Sequence, residues 1–382
     1  MELLESPIRK YAWGSHTAIA TLQGRPAPTA DPEAELWVGA HPASPSRFAL
    51  SGGALSDAIE DDPEGLLGTA SVARFGTRLP FLLKVLAAAE PLSLQAHPDL
   101  EQARAGYAAD QERPAAERNY VDAWHKPELL VAVSEFDALC GFRDPAESAA
   151  ALSALGVPRL KPVVDALRQL DAPSALHDGV HTLLANPPDV DEVVAASDGQ
   201  PLVAELAQAY PGDVGVVLAL LLNRVRLRPD EAVFMPAGNL HCYLCGLGVE
   251  AMAASDNVLR GGLTPKRVDV PELLRVLRFE VLEQPVVSAV PVGPGVLTWP
   301  VPVREFALYK ATVGGVGPAG AGPVELPATG PRVVLCVTGA LTATSGAASL
   351  RLASGGALFV AAGEPPVRLS GDGAVFQIGV AD

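Results

Sequence analysis

The 382-residue chain reads as a mainly β protein with an α-helical insertion, and three observations carry that reading. Short apolar runs broken by Gly and Pro fill residues 1 to 145 and return after Phe279. Between them, from about Pro145 to Leu227, apolar residues recur at spacings of three and four, the period of helices packed on one face. Finally, 36 Gly and 35 Pro are too many for a helix-only architecture, while 49% apolar and 19% charged residues supply a core and exclude general disorder. At about 150 residues per domain, the length fits two or three units.

In chain order, Leu36-Trp37-Val38-Gly39 and Leu92-Ser93-Leu94-Gln95-Ala96-His97-Pro98 read as short strands ending in turns. Leu82 to Ala89 reads as helix, because only Val85 is β-branched. Ala150, Leu152, Leu155, Leu160, Val163, Val164, Leu167 and Leu170, then Leu202, Leu206, Val217, Leu218, Leu221 and Leu222, mark the helical block, expected over residues 146–227. Arg228-Pro229-Asp230 closes it with turn chemistry, and Val233-Phe234-Met235 opens a new strand. Arg332 to Val337 and Ala357 to Val360, separated by Gly and Ser clusters, predict a jelly roll or barrel at the C-terminus. The expected units are residues 1–145 together with 228–278, the insertion 146–227, and a β domain over 279–382.

The balance of 28 Lys and Arg against 44 Asp and Glu leaves a formal charge of −16. A general basic field for nucleic acid or anionic membrane is thereby excluded, and positive charge for an anionic ligand must be local. The longest apolar run, Val214 to Leu222, is about half of what a membrane span needs. Met1-Glu2-Leu3-Leu4-Glu5 does not read as a secretion signal, and four cysteines are too few for a disulfide framework, so a cytoplasmic location is expected. Cys242-x-x-Cys245 lacks both a second such pair and a helix start, so it is not read as a redox or zinc motif. On a strand starting at His241, Cys245 would share the histidine's face and Cys242 would point away, which predicts an oxidant-sensitive thiol near that face.

Pro236-x-Gly238-x-x-His241 matches the turn-plus-ligand element of cupin jelly rolls, with the histidine pointing into the barrel. Near the C-terminus, Gly355 and Ala361-x-Gly363 repeat the spacing, but Pro366 stands at the ligand position. The fold class is therefore mainly β with an α insertion: two cupin-type jelly-roll barrels, the second without a metal ligand, plus a helical domain. Gln95 and His97 lie two apart, so on a strand they share a face. With Glu128 and His241 they make an N/O donor set that suits zinc, although manganese, cobalt or iron would also accept it.

The chain resembles the type I mannose-6-phosphate isomerases (phosphomannose isomerases). The matching segments are Tyr11 to Ser15, Ala34 to Pro42, Pro80 to Leu86, Leu92 to Pro98, His125 to Glu128, and above all Met252 to Lys266 within the run from Pro236 to Lys266. The resemblance covers residues 11 to about 270 and is only a general β-rich texture beyond. It implies one zinc per chain on Gln95, His97, Glu128 and His241, an essential arginine at Arg260, and active-site positions at Lys84, Ser93, Lys126, Tyr243, Glu250, Asp256 and Lys266, with Trp13 and Glu35 on the pocket wall. The implied reaction is the aldose–ketose interconversion of mannose 6-phosphate and fructose 6-phosphate through an enediol, serving carbohydrate metabolism and GDP-mannose synthesis, in a monomer whose partner is a small sugar phosphate.

Such chemistry needs an electrophile at the substrate oxygens, a base for the C2 and C1 protons, and a cationic group for the phosphate. Arg260 suits oxyanions through its guanidinium fork, Lys84, Ser93 and Lys126 suit phosphate and hydroxyls, and Asp256, Glu250 and Lys266 suit proton transfer and ring opening. Lys84 is the most informative, since a lysine inside an apolar run needs a partner. His41 and His125 are read as holding neighbouring loops, the helical block as covering one side of the site, and a bound dication with Lys84, Lys126, Arg260 and Lys266 as reversing the global charge locally. A non-enzymatic metal-holding sugar-phosphate sensor and a metal-dependent oxygenase are the alternatives; the proton-transfer set disfavours the first and the donor set the second.

Overall fold

Thirteen residues, His241–Ala253, form the strand on which the first of two antiparallel sheets is built. Its C-terminal half pairs with Phe81–Ala88 on one side and Glu128–Ala132 on the other. Its N-terminal half pairs instead with Leu94–Ala96 and Phe136–Phe142. One strand thus serves both layers of an 11-stranded assembly, and it turns between them at a register shift after Tyr243. Gly246 sits in this bend at φ 129°, where a Cβ would lie 2.6 Å from the Phe136 ring, so the position excludes any side chain.

Described by the computed structural model are residues 1–314, 323–328 and 330–381; residues 315–322, 329 and 382 of the expected C-terminal unit lie outside them. The second sheet has 10 strands, centred on Arg332–Ser345 and Arg368–Gly379. The fold class is mainly β with helices inserted, as the strand and turn pattern predicts. Two features cross the expected boundaries: Glu2–Glu5 and Arg47–Phe48 add to the second sheet, and Val286–Val287 adds to the first. A continuous apolar core binds the two, with Val85, Leu129 and Val249 from one sheet meeting Leu335, Phe376 and Ile378 from the other.

Leu82 to Ala89 is not helical, contrary to the propensity argument: Phe81–Ala88 is a strand in which all eight residues are buried. Phe81, Leu83, Val85 and Ala87 face the core between the sheets, while Leu86 and Ala88 face the interior of the first one. Burial on both faces erases the alternation that marks a strand in sequence. The helical block begins at Pro145, after an Asp144 cap that accepts from Ala146 and Glu147, and its last α-helix ends at Leu218. The final residues of the expected span, Leu222–Leu227, are instead a strand paired with Phe136–Phe142. Leu170, taken as a core position, is fully exposed in the turn before the Ala172–Ala185 helix. The rest of the block packs through Leu152, Val163, Leu206 and Val217 onto the outer face of the layer carrying Leu94, Leu240 and Leu259. No helix among the described residues is long and apolar enough to cross a membrane.

Phe376 is 1% exposed and stacks on Trp299 at 6.1 Å within the core shared by the two sheets. Phe376→Ala should therefore lower unfolding stability by about 3–5 kcal/mol, read from denaturant melts. A loss under 1 kcal/mol would show that this core does not hold the sheets together.

Candidate active site and metal centre

Register brings the first set of functional side chains together. Gln95 pairs with His241 on one side and with Arg260 on the other, and directly opposed residues share a face, so Arg260, Gln95 and His241 form one row across the sheet. In the other layer Trp37, Lys84 and Glu250 form a second row, and Glu128, opposite Met252, lies on the same interior face. Gly238, at φ 77° in the turn before His241, donates its N–H to the His97 carbonyl at 2.8 Å, tying one histidine's loop to the other's. A Cβ there would come within 2.9 Å of the Val276 carbonyl, which explains the Pro-x-Gly spacing.

His97 and His241 are 1% and 0% exposed. Their Nδ1 atoms lie 2.7 Å from the Asn257 carbonyl and 3.0 Å from the Asn239 carbonyl. Both Nδ1–H groups must donate there, so both Nε2 lone pairs turn inward, toward Glu128 Oε2 at 3.2 and 3.3 Å. Burial pushes His97 down to about 4, with Glu128 opposing, so the ring is neutral. Two nitrogen lone pairs thus face a carboxylate oxygen, an arrangement that is repulsive unless a cation sits among them. The donor atoms of His97, Glu128 and His241 lie within 4.8 Å of one another, and theirs is the single such group found among the described residues. The Gln95 amide nitrogen is 3.3 Å from His241 Nε2, so a half-turn of the amide presents its oxygen to the same point. This N/O set fits a divalent transition metal.

Burial opposes ionisation of Glu128, but Lys126, 3.0 Å from Oε1, outweighs it and holds the carboxyl well below its usual range. Lys84 is 4% exposed and lies 3.5 Å from both Glu35 and Glu250. Burial works against its charge, yet these carboxylates overcome that and raise its pKa, which is the partner expected of a lysine in an apolar run. Trp37 Nε1 donates to Glu35 at 2.8 Å and Tyr243 donates to Glu250 at 2.8 Å, so a chain of hydrogen bonds and ion pairs runs from Trp37 through Lys84 to Tyr243. Burial, then Glu128, raises the Glu250 pKa, with Lys84 opposing.

A cavity of about 880 Å³ opens onto these rows. Every metal, catalytic and substrate-binding residue expected from sequence lines it except His97 and His241, which are buried beyond its wall. Tyr11, Trp37, Tyr210 and Asp213 line it as well. Sequence reasoning missed the last two because they belong to the helical block, which does cover one side. Asp213 accepts from the backbone of Gly215, Leu263 and Thr264, and so fixes the loop that leads to Lys266. His125 reaches Glu305 at 2.7 Å, and His41 packs edge-on against Trp37 at 5.0 Å, so both hold loops as expected.

Two expectations need correction. A bound dication with Lys84, Lys126, Arg260 and Lys266 would balance rather than reverse the local charge, because six carboxylates (Glu35, Glu90, Glu128, Asp213, Glu250 and Asp256) line the same cavity. Lys84 and Lys126 are engaged by carboxylates, whereas half-buried Arg260 and exposed Lys266 have no ion-pair partner among the described residues. Among the described residues, Arg260 and Lys266 are thus the cationic side chains of the cavity wall left to meet an anion. Cys245, in turn, does not share the face of His241: the register shift after Tyr243 turns it out to solvent opposite Asp137, while Cys242 is buried. Cys140 and Cys336 are also buried, and burial raises both thiols, to about 12 and about 11. A water-soluble thiol reagent should label one cysteine per native chain, Cys245, and leave metal content unchanged; fast labelling of more than one thiol, or metal loss on labelling, would contradict this placement.

Comparison with known proteins agrees with this geometry. Residues 1–145 match the family described as phosphomannose isomerase type I, catalytic domain. The mannose-6-phosphate isomerase of Escherichia coli strain K12 is 40% identical over 331 residues, covering 80% of this chain and 82% of its own length. That of Emericella nidulans is 30% identical over 404 residues, covering 88% and 85%. A variant of phosphomannose isomerase from Salmonella typhimurium superposes with a TM-score of 0.91 at 35% identity, over 100% of both chains. A mannose 6-phosphate isomerase bound with zinc and yttrium gives 0.90 at 35% identity with the same coverage.

Proposed function

The chain belongs to the type I mannose-6-phosphate isomerase family, and from that premise we propose that it interconverts mannose 6-phosphate and fructose 6-phosphate, using one zinc ion held by Gln95, His97, Glu128 and His241. The observation that carries this reading is the row Arg260, Gln95, His241, which sets a guanidinium with no ion-pair partner among the described residues beside the metal donors. When bound, zinc supplies Lewis-acid stabilisation of the negative charge that develops on the substrate oxygens.

The protein's own groups divide the remaining work. Arg260 donates its paired N–H groups to the enediolate oxygens; half burial strengthens that interaction. Lys266, with Ser93, is assigned to the phosphate, since its ammonium is exposed on the cavity wall and carries no ion pair among the described residues. Asp256 is the preferred base for the C2 and C1 protons. Its carboxylate lines the cavity, whereas the rival, Glu250, is engaged by both Tyr243 and Lys84. Lys84 and Glu35 hold Glu250 and the cavity wall in place, and Lys126 keeps Glu128 anionic and oriented. Trp13, stacked on Tyr11 at 5.5 Å, offers an apolar wall to the open-chain sugar. The catalytic unit is assigned to the first sheet, drawn from residues 1–145 with 222–278 except the strands Glu2–Glu5 and Arg47–Phe48 that join the second sheet, in a cytoplasmic enzyme feeding mannose metabolism and GDP-mannose synthesis.

Two measurements test the reading. Mannose 6-phosphate turnover should vanish on chelation and return with zinc, at about one zinc per chain by elemental analysis; a metal-free, fully active protein would sink it. Arg260→Ala should keep its zinc yet lose about 10²–10³-fold in kcat, the scale of one removed oxyanion donor. Normal turnover by that variant would remove the assignment of Arg260.

A further inference from the structure

Behind the metal donors lies a polar cluster, Asp122, Ser255 and Asn257, whose members do not themselves line the cavity and have no part in the proposed chemistry. Asn257 and Ser255 are both 0% exposed. The Asn257 side chain accepts from the backbone of Val121 at 2.9 Å and donates to the carbonyls of Asp122 and Trp124, both at 2.8 Å. Ser255 Oγ donates to Asp122 Oδ1 at 2.9 Å and accepts from the Asn257 N–H at 3.3 Å. Asp122 also receives the backbone N–H groups of Trp124 at 2.8 Å and Asp256 at 3.1 Å.

These bonds join two irregular segments. One, through Trp124, leads directly into the strand that opens with Glu128. The other carries the Asn257 carbonyl, which receives His97 Nδ1–H at 2.7 Å, and Asp256 beside it. Neither segment lies in a strand, so no ladder fixes the direction of that carbonyl; the Asp122, Ser255 and Asn257 side chains do. A carbonyl that swings away would release His97 to rotate or to change tautomer, and its Nε2 lone pair would leave the point it shares with Glu128.

We propose that Asp122, Ser255 and Asn257 act as a positioning clamp that aims the Asn257 carbonyl at His97 and thereby sets the affinity of the metal centre. The clamp rests on the zinc reading of that centre. It makes metal affinity depend on residues that never touch the metal, as outer partners of ligating histidines do, with losses of about 10–100-fold on mutation.

The test compares zinc dissociation constants of the full-length apo-protein, measured by competition with a chromophoric chelator, with thermal midpoints of the same apo samples. Asn257→Asp removes the two amide donors at nearly constant shape, and Ser255→Ala removes the hydroxyl. Ser354→Ala is the control, because Ser354 Oγ makes comparable bonds to Leu22 and Val337 carbonyls far from the centre. Asn257→Asp and Ser255→Ala should bind zinc about 10–100-fold more weakly than wild type, while Ser354→Ala lowers only the thermal midpoint. Wild-type zinc affinity in both clamp variants, whatever their midpoints, would overturn the proposal and leave the trio a loop anchor. Should Asn257→Asp fail to fold, Ser255→Ala decides alone. A wild-type protein that took up no zinc would refute the metal centre itself, and the clamp with it.

Discussion

The structure depends on a single strand that belongs to two layers. His241–Ala253 carries His241 at one end and Glu250 near the other, and its pairing partners carry Gln95, Lys84 and Glu128. A strand bent through Gly246 can bring these together only if the two layers face each other, so the bend creates both the interior and the site within it. The alternation of the pleat then does the sorting. Residues of one parity, such as Lys84 and Leu86, enter that interior; those of the other parity, such as Leu83 and Val85, form the apolar contact with the second sheet.

Burying so many ionisable groups is costly unless each charge is matched. The interior meets this by pairing Lys84 with Glu35 and Glu250, and Lys126 with Glu128, and by steering Tyr243 and Trp37 hydrogen bonds to the same carboxylates. What stays unmatched is informative. Two imidazole lone pairs and a carboxylate oxygen converge and ask for a cation, and half-buried Arg260 asks for an anion. Those opposite demands, placed side by side by the Gln95 register, describe the ligands better than the sum of charges does.

The overall charge of −16 illustrates the point. It argued against polyanionic partners, while a dication with the lysines and Arg260 suggested a locally positive pocket. In the folded protein the pocket is lined by six carboxylates and four cationic side chains, of which only Arg260 and Lys266 have no ion-pair partner among the described residues. A sugar phosphate needs no more than this: a cation at the phosphate, a dication at the reacting oxygens, and an otherwise neutralised wall. With a screening length of about 8 Å at physiological salt, the distant surface acids have little influence there.

Sequence by itself determined the mainly β class and the helical block, and it singled out His97, Glu128 and His241, whose donor atoms the fold brings together. It named Gln95, Arg260 and Lys84 as candidates beside them: Gln95 from its spacing to His97, Lys84 as a lysine set among apolar residues, and Arg260 from the family resemblance. Tertiary structure decided the rest. Phe81–Ala88 is a strand because it is buried on both faces, which removes the periodic signal. Cys245 faces solvent because a register shift inverts the parity that regular spacing assumes. Asp213, Tyr210, Asp122 and Asn257 were invisible as site residues because each acts across a long stretch of chain, through backbone bonds that no local pattern encodes. Residue types and short spacings record which chemistry is available; only long-range pairing sets which charges cancel, which lone pairs converge and which side chains hold the others in place.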